Sequence, residues 1–177
     1  MSKPTNSNDH EHEPFLRQAL EQAAYCDPVP TAFCVGCVLV ARLPDSKPIV
    51  LSKGFSRELP GNTHAEANAL AKLQSLSSLQ LQSLFSSEVP PVTEDLLRHV
   101  DVYTTLEPCS VRTSGLPACA DALIRAQVRR CIIGVQEPDD FVKCEGAQKM
   151  KDAGIEVIWY GGLAQECLDA ARRGHRV

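Results

Sequence analysis

The chain lacks any long apolar run and any excess of positive charge. No stretch approaches the about 18 consecutive apolar residues that a membrane-spanning helix requires. The 18 Lys and Arg residues are outnumbered by 22 Asp and Glu residues, which leaves a formal net charge of -4. Nucleic-acid-binding proteins hold phosphates with clustered basic residues, and this composition does not favour that function. We therefore expect neither a membrane nor a nucleic acid as a partner.

The sequence also lacks a secretion signal in its first residues, although it contains 8 cysteines. The segment MSKPTNSNDHEHEP is polar and has no apolar core of the kind that signal peptides contain. We therefore predict a cytoplasmic protein with reduced thiols, in which spaced cysteines bind a metal or catalyse. Isolated cysteines within apolar segments are instead predicted to be core residues: Cys26, Cys131 and Cys167.

The length of 177 residues fits one domain with its own core. Residues 1–12 are polar and show no periodicity, so we predict a flexible tail in front of a single domain, 13–177. From Glu13 onwards apolar residues recur at helical spacing, which predicts a helix that ends before Asp27.

Short β-branched segments then alternate with segments of helical periodicity. Segments 34–43 and 48–55 flank a turn and predict a hairpin, and 64–76 predicts a second helix with Thr63 as its N-cap. The Ser/Gln/Leu-rich stretch 77–91 is interpreted as an insertion or a loose helical extension. Further predictions are strands at 100–105, 130–135 and 155–160 and helices at 117–127, 144–153 and 163–173. This alternation implies a mostly parallel sheet with helices on both faces.

Three side chains that bind transition metals lie at the predicted starts of helices or at the end of a strand. Cys109 follows Pro108 at the carboxyl end of the strand 100–105, and Cys119 and His64 begin helices. Two thiolates and one imidazole form a donor set for zinc with one open position, where a water would become acidic. The partial positive charge of a helix N-terminus favours the thiolates.

Glu66 follows His64 by two residues and is too close to it to be a good ligand of the same ion. It can instead reach a water on the metal and pass its proton to a leaving group. H-x-E followed by P-C-x-x-C is the signature of zinc nucleobase deaminases. Here nine residues separate Cys109 from Cys119, so the second half of the signature is longer.

Several further segments agree in order with one branch of these enzymes. They are HAEANAL, TLEPCS, PACADALI, VRRCIIGVQEPDDFV and DAGIEV. From about Thr31 to Gly161 the chain resembles the pyrimidine deaminases of riboflavin biosynthesis, in the cytidine-deaminase-like superfamily. The resemblance implies an α/β fold of three layers, α/β/α, around a mixed five-stranded sheet. It also implies Zn²⁺ as cofactor, with His64, Cys109 and Cys119 as ligands and Glu66 as proton shuttle.

The chain departs from the bacterial pattern of this family outside those residues. Where bacterial members carry an Asn-Pro pair and a histidine, it has Ala32-Phe33 and Arg57, and its loop between the cysteines is one residue longer. It is more similar to the fungal enzymes, which lack a reductase partner domain. That branch implies a ribitylamino-pyrimidine 5'-phosphate as substrate, from which zinc-bound hydroxide displaces the amino group at ring atom C2 as ammonia.

Candidate substrate contacts lie beside the predicted zinc site. Arg57 and Arg112 flank it, and a guanidinium group can hold a phosphate with two parallel hydrogen bonds. Thr113 and Ser114 offer hydroxyl groups to the phosphate or the ribityl chain. Asn62 precedes the H-x-E helix, where related deaminases hold their base, and is predicted to contact the pyrimidine ring.

Two other functions stay open on the sequence alone. One is a different zinc deaminase of the superfamily, acting on a free base, a nucleoside or a tRNA adenine. The other is a zinc-stabilised binding module in which Glu66 has no catalytic role. The resemblance also implies a homodimer or homotetramer, without indicating the interface.

Overall fold

The computed structural model of the chain describes residues 9–85, 93–112, 114–139 and 143–175. Its α-helices are α1 (Asp9–Ala24), α2 (Ala65–Gln74), α3 (Ser78–Phe85), α4 (Thr93–Leu97), α5 (Cys119–Ala126), α6 (Gly146–Asp152) and α7 (Ala164–Ala171). The strands are β1 (Gly36–Ala41), β2 (Ile49–Phe55), β3 (Val100–Leu106), β4 (Arg130–Val135) and β5 (Glu156–Trp159), and a short 3₁₀ helix spans Gly161–Leu163.

The strands form one five-stranded sheet in the order β2-β1-β3-β4-β5. β1 is antiparallel to both β2 and β3, whereas β3, β4 and β5 are parallel. The predicted mixed five-stranded α/β fold is therefore confirmed. The expectation of a mostly parallel sheet holds only for its β3–β5 half, because the hairpin adds its strands antiparallel.

Alternation along β1 sends side chains to two separate cores. Val38 and Val40 pack with Leu16 of α1 and Leu163 beside α7. Cys37 and Leu39 face the other way, where they join the buried side chains Leu73, Leu123 and Met150 of α2, α5 and α6. The sheet is therefore covered by helices on both faces, and the predicted core cysteines Cys26, Cys131 and Cys167 are buried free thiols.

Helix α1 begins earlier than the sequence indicates. It starts at Asp9 and passes Pro14, so the boundary of the predicted tail at residue 12 was placed too late; residues 1–8 lie outside the described residues. His12 is buried and its Nδ1 lies 3.0 Å from the Tyr103 hydroxyl, while Glu11 pairs with Arg42 at 3.0 Å. These contacts offset the helix hydrogen bond that a proline cannot donate.

The stretch 77–91 is helical where it is described. Helix α3 occupies Ser78–Phe85, which agrees with the interpretation as a helical extension, and residues 86–92 lie outside the described residues. The short helix α4 follows at Thr93–Leu97 and was not predicted. Among the residues that the structure describes, no helix is long and apolar enough to cross a membrane.

Candidate metal and catalytic site

The three predicted metal donors meet at one edge of the sheet. His64 is the residue before α2, Cys119 is the first residue of α5, and Cys109 follows the carboxyl end of β3. Their donor atoms all lie within 4.8 Å of one another, and no other group of three or more potential ligands occurs in the described part of the chain. The loop of nine residues between Cys109 and Cys119 thus brings the two thiols together, as the shorter C-x-x-C spacing does in other zinc deaminases.

The distances between the donors match the geometry of a zinc ion. Nδ1 of His64 lies 3.5 Å from Sγ of Cys109 and 3.5 Å from Sγ of Cys119. With bonds of about 2.3 Å to sulfur and about 2.0 Å to nitrogen, a sulfur and a nitrogen on tetrahedral zinc stand about 3.5 Å apart. The residues present therefore fit a zinc ion with three protein ligands, and the donor atom of His64 is Nδ1.

The environment of Cys109 favours its thiolate. The hydrogen bond from the Cys119 thiol, followed by hydrogen bonding to His64, lowers the pKa of Cys109 although burial opposes this change. The backbone N–H of Cys119 also donates to Cys109 Sγ at 3.3 Å. One thiol of the pair is thus already prepared as an anionic ligand, and a divalent cation would displace the proton of the other.

Glu66 points into the same site from the first turn of α2. Its side chain is 3% exposed, and burial, followed by the negative charge of Cys109, raises its pKa. Oε1 accepts a hydrogen bond of 2.9 Å from the Thr104 hydroxyl on β3. A buried carboxyl group with a raised pKa beside a metal site is suited to general acid–base chemistry.

Helix α2 is held against β2 by a close backbone approach and by one buried amide. A Cβ added at Gly54 would lie 2.4 Å from the carbonyl oxygen of Ala65, so only glycine permits this contact. Nδ2 of Asn68 donates to the carbonyl of Phe55 at 2.9 Å and to Thr63 Oγ1 at 3.0 Å. The predicted N-cap was wrong by one residue, since His64 occupies that position and Thr63 binds Asn68 instead.

A cavity of about 170 Å³ opens beside the donors. Its lining includes His64, Glu66 and Cys109 together with four of the predicted substrate contacts, Arg57, Asn62, Arg112 and Ser114. Thr113 lies outside the described residues. The structure therefore gathers the predicted chemical and substrate-binding residues around one cavity, within reach of a single small molecule.

The two arginines of the cavity differ in what they already bind. Arg112 donates one hydrogen bond of 2.6 Å to the backbone carbonyl of Asn62 at the rim. The guanidinium of Arg57 donates to the carbonyls of Phe33 and Asp27 and to the sulfur of Cys34. Arg112 thus keeps more of its donors for an anion, whereas Arg57 is largely bound to the protein itself.

Sequence reasoning missed several residues of this cavity. Glu137 follows β4 and lines the cavity, and burial, followed by the charge of Cys109, raises its pKa to about 7. Glu107 also lines it and accepts the N–H of Ala147 at 2.9 Å. Glu137 lies two residues after β4, which is parallel to β3. Residues that follow parallel strands lie at the carboxyl edge of the sheet, so the sequence could have indicated Glu137 as a cavity residue on this ground.

Comparisons with known proteins agree with this site. Residues 9–135 match the model of the cytidine and deoxycytidylate deaminase zinc-binding region. The chain is 39% identical over 175 residues to a Schizosaccharomyces pombe protein named diaminohydroxyphosphoribosylamino-pyrimidine deaminase, covering 99% of this chain and 37% of that protein. It is 32% identical over 123 residues to the chloroplastic riboflavin biosynthesis protein PYRD of Arabidopsis thaliana, covering 70% and 22% of the two chains. The chain thus spans 37% of the length of the first of these relatives and 22% of the second.

A solved structure extends over nearly the whole chain. The Aspergillus oryzae Rib2 deaminase, a C-terminal deletion mutant in complex with DARIPP, matches with a TM-score of 0.73 and 32% identity. The match covers 93% of this chain and 92% of that chain. The element order and the sheet described above are therefore those of a known deaminase fold.

Proposed function

Because the chain belongs to the cytidine and deoxycytidylate deaminase family, we propose that it is a zinc-dependent hydrolytic deaminase of riboflavin biosynthesis. The observation that carries the proposal is the meeting of the His64, Cys109 and Cys119 donors with the buried Glu66 in one cavity. The complex of the Rib2 deaminase with DARIPP supports a small-molecule substrate in that cavity.

The proposed ligands are those that the sequence predicts. His64, Cys109 and Cys119 hold the ion, and zinc bound there would lower the pKa of a water to about 7 and so supply the attacking oxygen at neutral pH. Thr104 holds Glu66 in position through its hydroxyl group. Glu66 takes a proton from the attacking water and delivers it to the departing amino group.

The substrate we propose is the ribitylamino-pyrimidine 5'-phosphate, which loses its amino group at C2. One C–O bond forms, the C–N bond breaks, and ammonia leaves with the protons that Glu66 transfers. Arg112, which lines the cavity and donates to the backbone carbonyl of Asn62, is the proposed phosphate contact, and Ser114 and Thr113 are proposed to add hydroxyl hydrogen bonds. Asn62 is proposed to contact the ring, and Glu137 to accept hydrogen bonds from substrate hydroxyl or amino groups.

The proposal extends to the kind of partner and to the location of the protein. We propose a cytoplasmic enzyme, in keeping with the free thiols of the described cysteines, that acts on a small molecule and not on a nucleic acid. A homodimer or homotetramer stays a prediction from the family resemblance.

Parallel assays with two substrates test the proposal. The zinc-loaded protein is incubated with the ribitylamino and the ribosylamino forms of the diaminopyrimidinone phosphate, and ammonia release is followed. We expect release from the ribitylamino form and little from the ribosylamino form. Release from neither, with zinc bound and the fold intact, would refute the riboflavin assignment and direct the search to nucleosides and free bases.

A further inference from the structure

One side of the cavity is formed by an irregular segment between α1 and β1. Residues 26–34, termed here the pocket wall, contribute Thr31, Ala32 and Phe33 to the cavity lining. Between α1 and β1 the only ladder contact that the structure describes is an isolated bridge between Val29 and Ala32. Pro28 and Pro30 carry no N–H, so the pocket wall depends on outside partners for its backbone hydrogen bonds.

Arg57 supplies those partners at both ends of the pocket wall. Its Nη2 donates to the carbonyl of Asp27 at 2.8 Å and to Sγ of Cys34 at 3.4 Å, and its Nη1 donates to the carbonyl of Phe33 at 3.0 Å. A single planar group therefore fixes the distance between the beginning and the end of the segment. An ammonium group has no such fixed fork and cannot hold both ends in the same way.

A second group of contacts holds the pocket wall from outside. Nη2 of Arg173, after α7, donates to the carbonyls of Ala23 and Cys26 at 2.9 and 2.7 Å. Nε2 of His175 lies 3.2 Å from the carbonyl of Ala32, and its ring lies 4.9 Å from that of Phe33. Arg57 is thus the cavity-side member of a set of side chains that hold the pocket wall and the adjoining end of α1.

The backbone of Arg57 adopts a conformation that favours glycine. Arg57 has φ of 62°, in the left-handed region, where glycine fits without strain and residues with a Cβ do not. A glycine would complete this turn more readily. Such a conformation persists where contacts of the surrounding structure hold it in place, and the three hydrogen bonds of the Arg57 guanidinium are contacts of this kind.

We propose that Arg57 is a positioning residue that sets the pocket wall and thereby the fit of the substrate, rather than a phosphate ligand. The inference rests on the proposed function of the cavity. In the described part of the chain, none of the hydrogen bonds of the Arg57 guanidinium reaches the three metal donors. Losing the guanidinium should therefore alter substrate binding while leaving metal binding and the chemical step in place.

Two substitutions with different backbone consequences separate positioning from general stability. Arg57→Gly and Arg57→Ala both remove the guanidinium, but only the glycine relieves the backbone strain, so their melting temperatures should differ. Positioning predicts the same increase in KM for both, roughly tenfold, with kcat within about threefold of the wild type. Arg57→Lys should restore part of the loss. A KM that follows the melting temperature across the three variants would reduce Arg57 to a stabilising residue and overturn the proposal.

Asp45→Gly is the matched control. Asp45 also has a left-handed backbone, with φ of 55°, but it is exposed in the β1–β2 turn and does not line the cavity. We expect its KM to equal that of the wild type. A KM increase like that of Arg57→Gly would assign the effect to backbone relaxation alone and contradict the proposal.

Phosphate preference distinguishes positioning from direct phosphate binding. The ratio of kcat/KM for the phosphorylated substrate to that for its dephosphorylated form should be nearly unchanged in Arg57→Gly. Loss of that preference would make Arg57 a phosphate ligand and overturn the proposal.

Hydrogen–deuterium exchange provides a readout that does not depend on turnover. In the zinc-loaded Arg57→Gly protein, amides of 31–34 should exchange at least about tenfold faster, and those of β3 at the wild-type rate. Unchanged exchange in 31–34 would overturn the positioning role even if the enzyme is active. Absence of ammonia release from the wild type would instead refute the proposed function, while the exchange result still decides whether Arg57 holds the pocket wall.

Discussion

The metal side and the substrate side of the cavity are built in different ways. On the metal side, His64, Cys109 and Cys119 are attached to the ends of regular elements, and their positions follow from the register of the sheet. On the substrate side, the pocket wall has almost no ladder of its own and is held by side chains from distant parts of the chain. Under the proposed function, the chemical step would depend on side chains at the ends of regular elements, and the fit of the substrate on a segment held by side-chain hydrogen bonds.

Removing a metal donor should have the largest effect on activity, and it should act through the metal side of the cavity. Cys119→Ala removes one of the three metal donors, so we expect zinc content to fall far below one ion per chain and activity to fall by at least about 10³-fold. Metal analysis and ammonia release measure the two quantities. Cys131→Ala is the control, because Cys131 is equally buried but lies outside the donor group. Full zinc retention in Cys119→Ala would show that the donors are misassigned.

Arg112→Ala should affect the substrate side only. We expect kcat/KM for the phosphorylated substrate to fall by roughly 10- to 100-fold, because a charge-assisted contact to the phosphate is lost, and that for the dephosphorylated compound to change little. Zinc content should stay at the wild-type value. Arg17→Ala removes an exposed arginine that pairs with Glu13 on the same helix and does not line the cavity, and it should have no effect. An equal loss on both substrates would contradict a phosphate contact.

Thr104→Val tests how much the orientation of Glu66 contributes to the rate of the chemical step. The substitution removes the 2.9 Å hydrogen bond to Glu66 and keeps a side chain of similar shape at a position that is 0% exposed. We expect kcat to fall about tenfold with KM nearly unchanged, measured by steady-state ammonia release. Thr104→Ser should recover most of the rate, and failure of that recovery would indicate a packing defect rather than a lost hydrogen bond.

The smallest effect is expected at His12, away from the cavity. Burial, followed by the charge of Arg130, lowers the pKa of His12, with Arg42 acting in the same direction and Glu11 and Asp101 opposing. The imidazole of His12 therefore binds a proton more readily in the unfolded chain than in the folded protein. The free energy of unfolding should consequently decrease as the pH falls through about 6.5. Urea unfolding of wild type and His12→Gln at pH values on both sides of that point measures the difference.

Only the pH-dependent difference between the two proteins reports on His12, because the metal donors also titrate in acid. The variant should lose less stability on acidification than the wild type. Its ammonia release at neutral pH should be unchanged, since His12 contacts Tyr103 on the face of the sheet that α1 covers. Parallel stability curves for the two proteins would contradict the assignment.

The difference between the metal side and the pocket wall also explains which features the sequence could predict. Strand β4 was predicted with its observed bounds, and His64, Glu66, Cys109 and Cys119 were assigned to one site because residue type and spacing carry that chemistry. The contacts of Arg57 to Asp27 and Phe33 were not predicted, since periodicity contains no information on side chains that bind a distant backbone. The early start of α1 was missed for a similar reason, because the buried partners of His12 come from other elements.

The most direct test of the central claim is a comparison of Glu66→Gln with the wild type, with zinc content and ammonia release measured on the same preparations. Glutamine keeps the shape of the side chain but cannot transfer a proton. The account predicts one zinc ion per chain in both proteins and a loss of kcat of about 10³-fold or more in the variant. Turnover by Glu66→Gln at the wild-type rate, with zinc bound, would contradict it and favour chemistry, or a binding function, that does not use this carboxyl group.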